Sequence, residues 1–546
     1  MNAERDKKLI VQTKRTGFMD LLNAFSHEDP DRTAVLYEKR GAVTALSRSA
    51  FAEAVIERKD ELVEEFGAGT CLGVLCDGSL SCVLTIFAAV PAGLQVVLLD
   101  ENASEDLLAA QIRQTDIDCL WGSDDDLIEE LQSCLADGLS PRRGMTDAQS
   151  LQPAQIRTQD EHPILFFTSG TTSSSKAVVL TDASLMAAAY NGSCKLPLSC
   201  EDTLLCMLPL NHVFGFVCGM LWGMQCGAAV ALGRGARYYT QDLSFFRPTA
   251  LSAVPMLLGF LLQHNLLNEE LRLILIGAGD CPPALLTAAA AKGVSVSFGY
   301  GLTETSSGVA ISVPPEYRVN PVCTPDPGGP ACAPDPDGPA FAPDPDGPAF
   351  AGPDARGRAL EGAQSFDPYA LEICPENTVT LADDGEILVT GASCMMKGYY
   401  KQPEDTAAVL KDGVLYTGDL GRWDEDGRLH IIGRKKEILV LHDGTKLFLP
   451  EYESRIAAVL PGRDFAVLEK NGRPVLLLVD PDAGSEGGSG TAADKARASI
   501  LETIRPVMAE LPRGQQISAV LFTSRPLPRT ATGKVKRWEL ARQLPG

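Results

Sequence analysis

Three stretches of the chain set polar groups of fixed type at spacings suited to phosphate and sugar chemistry. Thr168-Ser-Gly-Thr-Thr-Ser-Ser-Ser-Lys176 directly follows an apolar run, Ile164–Phe167. Its backbone N–H groups near Gly170, the hydroxyls of Thr168, Ser169, Thr171 and Thr172, and Lys176 as a mobile cation suit a chain of phosphates. The Gly-Lys-Ser/Thr ending of a Walker loop is absent. In Gly299-Tyr-Gly-Leu-Thr-Glu304 the glycines predict a tight turn, Tyr300 suits stacking on a flat base, Thr303 a phosphate contact and Glu304 a Mg²⁺ ion. Tyr416-Thr-Gly-Asp419, followed by Gly433-Arg-Lys-Lys436, offers a carboxylate for two ribose hydroxyls in Asp419 and planar donors in Arg434. A fourth stretch, Pro528-Arg-Thr-Ala-Thr-Gly-Lys534, ends in a Gly-Lys turn. Taken singly, each describes a polar loop or surface turn equally well.

The elements that must position these residues follow from periodicity. Leu72–Leu75, Val96–Leu99, Ile164–Phe167, Leu204–Leu208, Ala228–Leu232, Leu273–Ile276 and Val294–Phe298 are short apolar runs between helical patterns. That alternation predicts a parallel sheet covered on both faces. From Thr324 to Phe350 a nine-residue unit occurs three times, ending APDPDGPAF, and predicts a mobile surface insert. Beyond Phe366 the turns Ala382–Gly385, Lys411–Gly413 and Asp424–Gly427 separate strand-like runs. The last part predicts strands at Phe465–Leu468 and Val475–Val479 and a helix from about Ala492 to Leu511. The uncharged run Val213–Gly233 is long enough to span a bilayer and spaces Gly215, Gly219, Gly223 and Gly227 four apart. It is read as a buried helix whose glycines allow close backbone contact.

The chain has 546 residues, too many for one ordinary domain. A formal charge of −23 argues against nucleic acid as a partner and limits membrane association to the periphery. The 15 cysteines and six histidines show neither CxxC pairs nor metal-ligand clusters. The basic N-terminus has no apolar signal core, so a cytoplasmic, reducing location is expected.

The four motifs, in this order and spacing, resemble the adenylate-forming superfamily, which includes acyl-CoA synthetases, peptide-synthetase adenylation domains and beetle luciferases. Leu208-Pro-Leu-Asn-His-Val-Phe-Gly215 and Gly433-Arg-Lys-Lys-Glu-Ile-Leu-Val-Leu-His-Asp-Gly444 are most similar to bacterial fatty acyl-CoA synthetases. The resemblance implies an α/β fold: a large N-terminal domain with parallel-rich sheets, residues 1–432, and a small mobile α+β C-terminal domain, residues 433–546. Thr168–Lys176 would hold the β- and γ-phosphates. Gly277, Ala278 and Gly279, with Tyr300, would frame adenine. Thr303 would contact the α-phosphate, Glu304 the metal, and Asp419 and Arg434 the ribose. His212 would sit at the carboxylate end of the acyl pocket. Lys436 would be the hinge, Lys534 would bridge carboxylate and α-phosphate, and Gly444 would face the thiol-acceptor tunnel.

The activity so implied is ATP- and Mg²⁺-dependent conversion of a small-molecule carboxylic acid, here a medium or long fatty acid, to acyl-AMP and then to its coenzyme A thioester. Two alternatives stand beside it: a ligase loading a separate carrier-protein pantetheine, and a degenerate binder of nucleotide or acyl-adenylate. The sequence departs from the family pattern at Ser173-Ser-Ser-Lys-Ala177, where the family usually has Gly-x-Pro-Lys-Gly, and in the segment holding the repeats.

Overall fold

The computed structural model of the chain describes residues 13–131, 163–168, 175–279, 281–318, 366–391, 393–440, 446–471, 473–480, 490–509, 511–529, 535, 537 and 540. Ser169, Gly170, Thr171 and Thr172, the repeats at 324–350, Gly444 and Lys534 lie outside the described residues.

Among the described residues, a nine-stranded sheet runs in the order Glu372–Ile373, Ser307–Ile311, Ser295–Leu302, Leu273–Ile276, Ala250–Ala253, Thr203–Cys206, Ala229–Leu232, Thr33–Lys39, Ala42–Ser47. Its five central strands, from Ser295–Leu302 to Ala229–Leu232, are parallel. A six-stranded sheet runs Gly398–Tyr399, Ala177–Thr181, Pro163–Phe167, Gln95–Leu99, Cys71–Leu75, Cys119–Trp121, its last four strands parallel. Every residue of Cys71–Leu75, Gln95–Leu99 and Leu273–Ile276 is buried, which is what parallel strands covered on both faces require.

The antiparallel edges were not foreseen from periodicity. Thr33–Lys39 and Ala42–Ser47 form a hairpin through Arg40 (φ 54°) and Gly41 (φ 81°), and two positive-φ residues define the tight turn whose twist matches the strands. Helix starts are chemically marked: the hydroxyls of Ser47, Ser79 and Ser104 accept from the N–H groups of Ala50, Cys82 and Leu107. Thr181 and Ser184 form a reciprocal capping box opening Asp182–Lys195.

The apolar run Val213–Gly233 departs from the expected single helix. Phe214–Leu221 is a π-helix, Trp222–Cys226 an α-helix, and Gly227 (φ 77°) ends it before the strand Ala229–Leu232. Both helical pieces are buried except at their flanks, and the Ser252 hydroxyl donates to the Cys218 carbonyl inside the wide turn at 2.7 Å. An added Cβ on Gly215 would lie 2.2 Å from the Pro209 carbonyl, so glycine is required by backbone approach. No helix among the described residues is long and apolar enough to cross a membrane.

A five-stranded sheet follows, made of Thr378–Leu381, Glu386–Thr390, Leu410–Lys411, Val414–Trp423 and Leu429–Arg434. The three turn signals join its strands as expected, and Asp412 (φ 50°) with Gly413 (φ 77°) makes a second two-residue hairpin turn. Strands Phe465–Lys470, Arg473–Val479 and Ala519–Thr523 form a three-stranded sheet, with helices at Leu449–Val459 and Gly490–Ala509. The largest hydrophobic cluster spans Phe18 to Leu429, whereas two clusters built only from residues 439 to 540 are closed on themselves. The expected boundary at 432 and 433 falls inside the strand Leu429–Arg434, which remains paired with Val414–Trp423.

Candidate active site

In a parallel sheet, the carboxyl ends of the strands and the loops beyond them form the natural binding edge. Pro163–Phe167 leads into Thr168, Thr203–Cys206 toward His212, Leu273–Ile276 into Gly277, and Ser295–Leu302 carries Tyr300 and runs into Thr303 and Glu304. The Gly299–Glu304 motif differs from the expected turn. The strand continues through Leu302, pairs antiparallel with Ser307–Ile311, and turns only at the 3₁₀ segment Thr303–Thr305. The register shifts between Tyr300 and Gly301, where an added Cβ on Gly301 would lie 1.5 Å from the Ser307 carbonyl. Glycine is therefore what lets the two strands close at this bulge.

This strand end is where the three large sheets meet. Toward the five-stranded sheet, the Tyr300 hydroxyl donates to Asp419 Oδ2 at 2.9 Å. Arg434, directly opposite Asp419 in the ladder, brings Nε to 3.0 Å from Oδ1. Burial, with the Asp419 charge beside it, pushes the Tyr300 phenol well above its ordinary pKa, so it remains a donor. Burial opposes the Arg434 charge, but Asp419 and then Glu437, Tyr300 and Glu304 more than offset it. Asp419 is 4% exposed and lies in an extended strand, not in the surface turn that its Thr-Gly-Asp context equally suggested. Nearby, Lys435 pairs with Asp384 and Glu386, and Glu386 accepts the Gly418 N–H at 2.8 Å.

Toward the six-stranded sheet, the Tyr399 hydroxyl donates to Glu304 Oε1 at 2.7 Å, and the Met396 N–H donates to the Glu304 carbonyl. Lys176 Nζ sits 4.5 Å from the Tyr399 ring centroid and 2.7 Å from Asp405 Oδ1. The lysine expected as a mobile cation is held on two sides. At the base of the expected phosphate loop, Thr168 N–H donates to the Lys176 carbonyl, Lys176 N–H to Thr168 Oγ1 and Ser175 Oγ to the Thr168 carbonyl, so Thr168 is tied to Ser175 and Lys176 at the edge of the sheet.

A third group adjoins these. An added Cβ on Gly277 would meet the Phe214 ring at 2.8 Å, which places the start of the π-helix against the Gly277–Gly279 turn. Ala278 takes the left-handed conformation (φ 61°), uncommon for a residue with a side chain, and is exposed. The His212 ring keeps an exposed surface, yet the crowding of protein around it lowers its pKa, opposed by Asp100. Lys436 lies in the 3₁₀ segment Lys435–Glu437 immediately after the Arg434 strand.

Tyr399 and Asp405 were missed in the sequence. Their signal was present in Lys397-Gly-Tyr-Tyr-Lys-Gln-Pro-Glu-Asp-Thr406, an aromatic pair ahead of a proline that begins the helix Pro403–Val409. Nothing in spacing alone tied that segment to Lys176.

A family model described as AMP-binding enzyme matches residues 23–400, which take in Lys176, His212, Gly277–Gly279, Tyr300–Glu304 and Tyr399. The chain belongs to the AMP-binding enzyme family. Among its relatives is a 2-succinylbenzoate–CoA ligase of Bacillus velezensis, 26% identical over 71% of this chain and 72% of the relative. Another is a probable CoA ligase of Humulus lupulus, 27% identical over 71% of this chain and 67% of the relative. Among solved structures, O-succinylbenzoate coenzyme A synthetase from Bacillus subtilis in complex with AMP superposes with a TM-score of 0.70 at 21% identity, covering 97% of this chain and 98% of that one. The fold is thus that of the adenylate-forming superfamily, and its relatives in this family are acyl- and aryl-CoA ligases. At that level the family's chemistry is ATP-dependent activation of a carboxylic acid followed by transfer to coenzyme A. The fatty acid expected from the sequence has no counterpart in these relatives' names, and neither has a carrier protein.

Proposed function

We propose that this chain is an AMP-forming acid–thiol ligase that activates an aromatic carboxylic acid of the 2-succinylbenzoate kind and transfers it to coenzyme A. The observation that carries the reading is the meeting, along one strand end, of a buried carboxylate–guanidinium–phenol group (Asp419, Arg434, Tyr300) with a lysine–phenol–carboxylate group (Lys176, Tyr399, Glu304). The first suits a nucleoside and the second a polyphosphate. The aromatic acid is favoured by the relatives' names and by the Phe214 ring set beside the adenine turn near His212.

A carboxylate attacking a phosphate brings two anions together, so catalysis is mainly positioning and charge neutralisation. Asp419 would accept ribose hydroxyls, with Arg434 and Tyr300 fixing its orientation. Glu304 fits a Mg²⁺ partner: Oε1 accepts from Tyr399, and Oε2 has no protein donor among the described residues, leaving one hard oxygen. Mg²⁺ arriving with the nucleotide would neutralise phosphate charge there. Lys176 would take the terminal phosphates. His212, its pKa lowered by burial, would donate a ring N–H to the acyl carboxylate without adding charge. Lys534 would bridge carboxylate and α-phosphate, and rotation about Lys436 would exchange it for the thiol tunnel at Gly444.

The deciding measurement is AMP and pyrophosphate release over a panel holding 2-succinylbenzoate, benzoate, acetate and octanoate, with and without coenzyme A. Release that requires an aromatic acid, and a thioester that requires coenzyme A, are expected. Octanoate as the best substrate would return the reading to a fatty acid. No acid-dependent release would leave a nucleotide binder.

A further inference from the structure

Tyr399 touches both charged side chains of the phosphate reading, and its own position is fixed from several directions. The strand Gly398–Tyr399 pairs antiparallel with Ala177–Thr181, with Tyr399 opposite Val178. Lys397 N–H donates to the Val179 carbonyl, and Tyr400 N–H donates to the Ala177 carbonyl, so the segment is stitched to the residues directly after Lys176. Tyr399 N–H donates to Thr406 Oγ1 at 2.9 Å. Gly398 has a φ of 141° and an added Cβ would meet Thr406 at 3.0 Å, so the approach of this strand to the helix Pro403–Val409 also depends on glycine. The ring is 8% exposed.

From this fixed place, one ring face holds the Lys176 ammonium at 4.5 Å, while the hydroxyl donates to Glu304 Oε1 at 2.7 Å. One rigid side chain therefore sets the separation between a cation on the six-stranded sheet and a carboxylate on the nine-stranded sheet. Packing alone needs neither the hydroxyl nor the aromatic face: leucine fills much of the same space, and phenylalanine fills nearly all of it. Asp405 completes the arrangement by taking Lys176 from the other side.

We infer that Tyr399 is a positioning residue for the metal–nucleotide complex, its ring aiming Lys176 at the terminal phosphates and its hydroxyl turning the second oxygen of Glu304 toward the phosphate-bound divalent cation. It touches neither group of the substrate and acts through two residues that do. The inference rests on the ligase reading above, because it needs ATP with Mg²⁺ as the occupant.

The test is calorimetric binding of ATP to the full chain without any acid, in EDTA and across a Mg²⁺ titration, for the wild type, Tyr399→Phe and Tyr399→Leu. Phenylalanine keeps the ring face and loses the donor. It is expected to bind ATP in EDTA within about two-fold of the wild type, since Lys176 keeps its cation–π contact. The Mg²⁺ concentration for half-maximal tightening should rise about ten-fold, as when an outer partner of a metal ligand is removed. Leucine removes both contacts and should also weaken ATP binding in EDTA by about five-fold. An unchanged Mg²⁺ midpoint for Tyr399→Phe, which is what a packing role gives, overturns the inference, and so does equal loss of metal-free binding by both variants, because phenylalanine keeps the ring face toward Lys176. Should Tyr399→Leu fail to fold, the Tyr399→Phe titration alone decides. A wild type that binds ATP with Mg²⁺ yet releases no pyrophosphate with any acid sinks the ligase reading and leaves the positioning role standing; a wild type that binds no ATP sinks both.

Discussion

Asp419 and Arg434 face each other across the antiparallel ladder between Val414–Trp423 and Leu429–Arg434, with Nε 3.0 Å from Oδ1. Arg434 is the final residue of the second strand, so the arginine paired with the carboxylate directly precedes the segment holding Lys436. The proposed ribose contact and the expected hinge are adjacent in the chain for that reason.

Asp419→Asn keeps the shape and an acceptor for Tyr300 but removes the charge that Arg434 reads. Hydrogen bonds to charged groups contribute about 1.5–3 kcal/mol, so KM for ATP should rise by roughly ten- to a hundred-fold. Folding stability should change by only about 1 kcal/mol, because Arg434 is 48% exposed on its side chain. Steady-state kinetics beside a denaturant melt separate the two effects, and a large loss of stability with KM unchanged would make the pair structural.

Gly301→Ala should be among the most damaging single-methyl changes in the chain. The added carbon would sit 1.5 Å from a backbone oxygen that cannot rotate away, whereas Gly299→Ala meets its nearest neighbour at 3.5 Å. Overpacking costs typically about 1–3 kcal/mol where side chains give way, and here only backbone can. Thermal melts of the two variants should differ clearly, with Gly299→Ala near wild type.

Glu101 gives a pH signature. Burial, then the charges of Asp77, Asp100 and Asp124, raise its pKa from 4.5 to about 7. A carboxyl whose pKa is raised on folding favours the native state while protonated, below pH 4.5, and that contribution is lost as pH rises toward 7. Glu101→Gln should therefore raise the melting temperature at pH 8, by about 2 °C once the group's partial exposure is allowed for, and leave it unchanged at pH 4.5. A shift of equal size at both pH values would count against the titration.

Lys436→Pro tests the hinge. Proline fixes φ near −65°, so one orientation of the C-terminal part becomes inaccessible. Adenylation should survive, while thioester formation from acyl-AMP and coenzyme A should fall by at least about a hundred-fold, the scale of a misplaced reacting group. Single-turnover rates for the two half-reactions are the measurement, and equal losses in both would remove the alternation.

Lys534→Ala should show the mirror image. A cation at the point where carboxylate and α-phosphate charge accumulate stabilises the transition state by roughly 3–4 kcal/mol, or about a hundred- to a thousand-fold in rate. Acid- and ATP-dependent adenylation should fall by that factor, and conversion of supplied acyl-AMP should stay within a few-fold of wild type. Unchanged adenylation would reduce Gly533-Lys534 to a solvated turn.

Much of the parallel core was legible because fully buried strands such as Leu273–Ile276 are short apolar runs whatever surrounds them. The strand Ala177–Thr181 was not, since it follows Lys176 without a turn residue and owes its pairing to Pro163–Phe167 on one side and Gly398–Tyr399 on the other. Tyr300 to Glu304 was legible as a motif but not as a strand, because glycines at 299 and 301 read as turn residues when they are in fact needed for close strand approach. Asp419 and Arg434 were legible together as a sugar-binding signal, but their ion pair was not, because only the ladder register sets them opposite each other. Tyr399 was visible only as half of an aromatic pair ahead of a proline, and nothing local tied it to the site, since its value lies in contacts 95 residues away with Glu304 and across the sheet edge with Lys176.

The closed clusters beyond residue 439 bear on how the molecule melts. Leu439, Leu447, Tyr452, Ile456, Val467, Leu476, Ile504 and Val520 bury their apolar surface on one another, while the cluster from Phe18 to Leu429 draws on all three large sheets. Cooperativity follows shared apolar contacts, so heat should dismantle the chain in separate steps, each with its own enthalpy. A calorimetric scan should resolve more than one endotherm, and nucleotide bound at the proposed Asp419 and Glu304 site should move the one belonging to the larger cluster.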